Sequence, residues 1–185
     1  MKLKVLSIFS LFIFLSCTNP VPRPKALLRL EYPVGNYEKF APPCPYEFKK
    51  NKTARVINKS DCSFNIEYKG MKASIFITHK KIDENNLDEL LRDAQKLTYE
   101  HVIKADNIVE QPFVNKDDNV YGMFYKVSGN AASQTQFYLT DSINNFVTGS
   151  LYFYVKPNYD SILPAAHYLE KDIRKIMETF KWKKM

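Results

Sequence analysis

The residues with the most chemistry to offer are three cysteines, Cys17, Cys44 and Cys62, and three histidines, His79, His101 and His167. A zinc site needs thiolates, imidazoles or carboxylates at close, regular spacing. No histidine here has a carboxylate or thiol at such a spacing, so each is expected at the surface or half-buried. Gly149-Ser150 lacks the GxSxG frame of a nucleophile elbow, and Ser150 falls inside a run that reads as strand. Asp117-Asp118 sits in a polar turn without the alternating oxygen ligands of a calcium loop. There is no HExxH and no phosphate loop. Carboxylate pairs of the glycosidase kind meet only in space, and sequence does not display them. No catalytic residue, metal ligand or cofactor is therefore expected, and the chemistry that remains is that of Cys17.

Lys2 and Lys4 precede eleven residues, 5–15, that are apolar except for Ser7 and Ser10. A spanning helix needs about 20 apolar residues, so the run is short for a span and has the length and positive flank of a secretory leader. It ends Phe14-Leu15-Ser16-Cys17, which resembles the lipobox of bacterial lipoproteins, with Phe14 where leucine is usual. That resemblance implies a diacylglycerol on the Cys17 thiol, cleavage before it, and a further acyl chain on the new amino group. At about 0.8 kcal/mol per buried CH₂, two or three chains hold a protein stably where one is marginal. Thr18 follows, in place of the aspartate that retains lipoproteins in the inner membrane, and no acidic cluster follows as in surface-exported lipoproteins. By that analogy the protein faces the periplasm from the outer membrane.

The whole chain carries a formal charge of +7, and removal of residues 1–16 takes away two lysines and leaves +5. So mild an excess, outside the cytoplasm, points to a solvated face rather than to nucleic acid. Cys44 and Cys62 are then an even pair in an oxidising compartment, open either to a disulfide or to two free thiols. Seven of ten prolines fall between residues 20 and 45, and Pro20, Pro22 and Pro24 alternate as in a semi-rigid extended spacer. The expected organisation is a leader over 1–16, an acylated cysteine and proline-rich tether over 17–26, and one domain over 27–185.

Within that domain "LLRLEYP" is expected to be extended and the stretch to Cys44 to be loop. Phe64, Ile66 and Tyr68, then Ala73, Ile75 and Ile77, alternate with polar residues around Gly70, the signature of a hairpin. "NNLDELLRDAQKLTYEHVIKAD" switches to helical spacing through Leu87, Leu90, Leu91, Ala94, Leu97, Thr98 and His101, with Asn86 as cap. "NIVEQPFV", "NVYGMFYKV", "TQFYLTD" and "NFVTGSLYFYV" follow as a meander, Pro112 marking an edge or bend. A last helix starts near Asp160 or Ser161 and lines Ile162, Ala165, Leu169, Ile173, Ile176 and Phe180 on one face. The fold class is α+β, an antiparallel β-sheet with helices packed on it. The order of elements resembles the PsbP-like αβα sandwich.

Strand alternation puts Tyr152 and Tyr154 on one sheet face, where Tyr121 and Tyr125 can join them. Two readings are open. In one a helix covers the face and each hydroxyl finds water or backbone. In the other the tyrosines form a protein-binding surface, completed by Asn158, Tyr159 and Asp160 ahead of the last helix.

"LRLEYP", "CPYEF", "DAQKLTYEHVIKAD", "YGMFYKVSGNAASQTQFYLTDS" and "GSLYFYVKPNYDSILPAA", in that order over residues 28–166, resemble the gliding motility lipoprotein GldD family of Bacteroidota. The resemblance implies a membrane lipoprotein needed for gliding and for type IX secretion that helps to maintain another lipoprotein of the machinery. It brings no active site. The expected function is a non-enzymatic accessory component, with the membrane and other lipoproteins as partners. The alternative is a periplasmic enzyme or small-ligand binder acting on glycan or lipid, which requires a deep polar pocket with converging carboxylates or histidines.

Overall fold

The computed structural model describes residues 31–83, 86–100, 104–155 and 158–183. Cys17, His101 and most of "LLRLEYP" lie outside them. Ten strands form two antiparallel sheets. In chain order they are β1 (Tyr37–Phe40), β2 (Tyr46–Asn51), β3 (Arg55–Asn58), β4 (Phe64–Tyr68), β5 (Ala73–Lys81), β6 (Ala105–Asn115), β7 (Val120–Gly129), β8 (Ser133–Thr140), β9 (Asn145–Phe153) and β10 (Lys181–Trp182). The helices are α1 (Leu87–Tyr99) and α2 (Tyr159–Glu178). The class is α+β, as the patterning indicated.

The large sheet runs β3-β4-β5-β9-β8-β7-β6 and the small one β1-β2-β10. Register assigns each residue of the large sheet to a face, because neighbours directly across share one. On the inner face Ile66, Ile75 and Leu151 stand in one row, and Ile77, Gly149 and Phe137 in the next. Gly149 is required there: a Cβ would strike the Phe137 ring on the next strand. The small sheet and α2 close over this face. Tyr46 and Phe48 of β2 stack on Phe180 at centroid distances of 5.1 and 6.1 Å, all three fully buried. Leu169, Ile173 and Ile176 of α2 fill the remainder. Each such side chain contributes about 1.5–3 kcal/mol when taken from water.

The hairpin is present, and its reversal uses a positive φ of 48° at Lys72, two residues beyond the expected Gly70. Two expectations fail. The stretch before Cys44 is not all loop, since β1 pairs with β2 there. Helix α1 stops at Tyr99, and β6 already begins at Ala105, inside the span assigned to the helix. Within α1 only Leu90 and Thr98 are buried and Leu97 is 40% exposed, so the apolar stripe beds shallowly.

A disulfide joins Cys44 and Cys62, 5.6 Å apart at Cα and 18 residues apart in sequence. It ties the β1–β2 loop to the β3–β4 turn, where Asp61 and Cys62 both take positive φ. Changing both cysteines to serine is expected to cost about 3 kcal/mol by loop entropy. Urea unfolding of the reduced and oxidised protein measures this, and coincident transitions would show that the link carries no stability.

Candidate functional site

The outer face of the large sheet carries the tyrosines. One row holds Arg55, Glu67, Ser74, Tyr152 and Ser133. The next holds Ile57, Asn65, Phe76, Ser150, Gln136 and Tyr125. Helix α1 packs on this face over β8, where the Thr98 hydroxyl lies 3.2 Å from Gln136 Oε1 and the Tyr99 hydroxyl donates to Glu110. Tyr125, across from Gln136, is thereby 4% exposed, and burial pushes its hydroxyl above the ordinary tyrosine range.

The half of this face over β4, β5 and β9 is different. Phe76 and Tyr152 pack edge to face at 5.5 Å, and both rings remain partly open. Tyr154 is 57% exposed, its hydroxyl donating to Ser74 Oγ at 2.9 Å. Thr78 beside them is exposed. Partly open rings held on or beside a rigid sheet lose little entropy when another surface covers them, which suits recognition.

The four tyrosines share a face but not a place. Tyr121 lies across from Thr140 and through it from Phe146, six residues along β9 from Tyr152. At about 3.3 Å per residue that is about 20 Å. Tyr152 and Tyr154 form one end of the face, Tyr125 lies under α1, and Tyr121 borders a separate hollow with Asp117 and Trp182. Asn158, Tyr159 and Asp160 open α2 at the same end as Tyr152. The Tyr159 amide donates to Asn130 Oδ1 at 2.9 Å, and the Asn158 carbonyl accepts from the Ser161 amide at 3.1 Å. Asp160 is exposed in the first turn. Among the described residues no cluster of three or more His, Cys, Asp or Glu is placed to hold a metal.

A model of the gliding motility lipoprotein GldD family matches residues 17–182, from Cys17 through β10. The chain belongs to the gliding motility lipoprotein GldD family. That gives it an accessory role in gliding motility and a membrane-anchored place in the cell envelope. No curated protein matches it at a significant level.

One feature of this GldD-family chain escaped the sequence reading. Asp172, 1% exposed, sits on the buried stripe of α2. Its carboxyl oxygens accept from the Tyr37 hydroxyl at 2.7 Å, the Tyr68 hydroxyl at 2.9 Å and Asn51 Nδ2 at 3.0 Å. Asn51 Nδ2 also reaches the Tyr168 hydroxyl at 3.0 Å. The knot ties β1, β2 and β4 to α2 at the end of the domain where the N-terminal segment arrives, Tyr32 packing on Tyr168 at 5.1 Å. A charged residue three positions after Leu169, on the apolar stripe itself, was the available signal.

Proposed function

We propose that acyl chains on Cys17 hold this domain at the periplasmic face of the outer membrane. There it serves gliding and type IX secretion as a non-catalytic protein-binding module that maintains a partner lipoprotein. The observation carrying the reading is the open aromatic strip of Phe76, Tyr152 and Tyr154 on a rigid sheet. The lipobox, the proline spacer and the match to a family of motility lipoproteins support it. The Asp172 knot anchors the first strand after the tether, so a pull on the lipid end is passed to the core.

A clean deletion of the gene is expected to abolish gliding and secretion and to lower the level of one other envelope lipoprotein severalfold. Restoration should require Cys17, and Cys17→Ala should leave the protein off the membrane. Normal gliding and secretion in the deletion strain would sink the proposal.

A further inference from the structure

A cavity of about 690 Å³ opens between the two sheets, at the end away from the point where the N-terminal segment arrives. From Asn51, which holds the Asp172 knot, β2 runs five residues back to Tyr46 beside this cavity, about 17 Å along the strand. That volume suits a small ligand or one end of a chain. The lining is chemically divided. Pro43, Pro45 and the Cys44–Cys62 disulfide make an apolar wall, and His79 and Asn145 face each other across adjacent strands.

The histidine is held in one orientation. Asp141 accepts from the backbone amides of Ile143, Asn144 and Asn145 at 3.0, 2.8 and 2.8 Å, which fixes its carboxylate. Asn145 Nδ2 donates to it at 2.7 Å, so Asn145 Oδ1 is turned to accept. That oxygen lies 3.0 Å from His79 Nε2, which therefore carries the hydrogen. In the neutral ring Nδ1 is left as an acceptor. Lys183 donates to the Pro42 carbonyl, and Lys81 brings an exposed ammonium to the lining.

We infer that the cavity binds the carboxyl end of an N-acylated apolar amino acid, either free or as the last residue of a polypeptide. Each part of that ligand has a counterpart. Its amide N–H donates to His79 Nδ1, its carboxylate meets the Lys81 ammonium, and its apolar side chain lies on the prolines and the disulfide. The site is distinct from the Tyr152 strip and independent of the partner proposed there.

The test uses the full acylated chain in lipid nanodiscs, with empty nanodiscs as blank. N-acetylphenylalanine, a heptapeptide ending in phenylalanine, and the C-terminal amide of each are titrated by calorimetry. At least one free acid is expected to bind ten times or more tighter than its amide. Lys81→Gln, at an exposed position, should weaken that binding at least tenfold, and Tyr152→Ala should leave it unchanged. Binding of the peptide alone assigns the site to chain termini, and binding of the small acid alone assigns it to free acyl amino acids. Binding of both leaves the shared carboxyl end as the recognised group. No binding by either acid, equal affinity for acid and amide, or no effect of Lys81→Gln overturns the inference.

Discussion

Replacing Asp172 with alanine is expected to lower the stability of the domain by about 3–5 kcal/mol, the largest loss at any single polar side chain described here. The substitution removes the common acceptor of Tyr37, Tyr68 and Asn51. Tyr68 is 4% exposed and Asn51 1%, so their donors have no water to turn to. Asn51 keeps the Tyr168 hydroxyl and Tyr37 can be rehydrated, which is why the cost stays within that range. Tyr68→Phe should cost about 1–2 kcal/mol alone and less in the Asp172→Ala background, because the orphaned hydroxyl is then gone. Chemical denaturation of the four proteins of the cycle measures the coupling. A loss below about 1 kcal/mol for Asp172→Ala would mean that the knot adds nothing beyond packing.

The same knot sets an alkaline limit. Burial first, and then Asp172, push the Tyr68 hydroxyl above the ordinary tyrosine range, and burial and Asp172 do the same for Tyr37. The folded state therefore keeps protons that the unfolded chain releases near pH 10. Stability is intact below that pH and falls as the pH rises past it. Tyrosinate absorbance from these two residues should appear together with unfolding rather than ahead of it.

The second large effect is on function rather than stability. Tyr152→Ala combined with Tyr154→Ala and Phe76→Thr strips the open aromatic strip while threonine keeps a strand-forming residue in β5. These rings are partly exposed, so the fold should lose only about 1–3 kcal/mol in all. Central aromatic residues of an interface cost about 2 kcal/mol or more each when truncated. The triple variant should thus be made, folded and held at the membrane like the parent protein, yet fail to restore gliding or the partner's level. Tyr125→Phe, under α1, should restore both, which separates the strip from the rest of the tyrosines.

What the sequence displayed and what it hid follow from the physics of each element. The Phe64–Ile77 hairpin and the α2 stripe were legible because their buried and open residues alternate at the natural periods of strand and helix. Strand β2 alternates just as well, with Tyr46 and Phe48 buried between Glu47 and Lys49, but its lysines look like a solvated run. Its other partner, β10, is the last of the described strands, a pairing that no local pattern announces. The last two residues of the expected helical span, Ala105 and Asp106, went to β6 because its long pairing with β7 outweighs weak helical spacing. For the tyrosines, alternation gave the face correctly and nothing more. Position along the face depends on register between strands distant in sequence, which is why Tyr121 and Tyr152 lie about 20 Å apart.

The proposed function requires the Tyr152 strip to be occupied by another envelope protein in living cells. A photoreactive phenylalanine analogue at position 152 of the protein expressed in cells tests this directly, with the same analogue at exposed position 167 on α2 as control. The predicted result is one discrete crosslinked adduct at 152, absent at 167, whose partner is the lipoprotein that disappears in the deletion strain. No adduct at 152, or the same adducts at both positions, would contradict it.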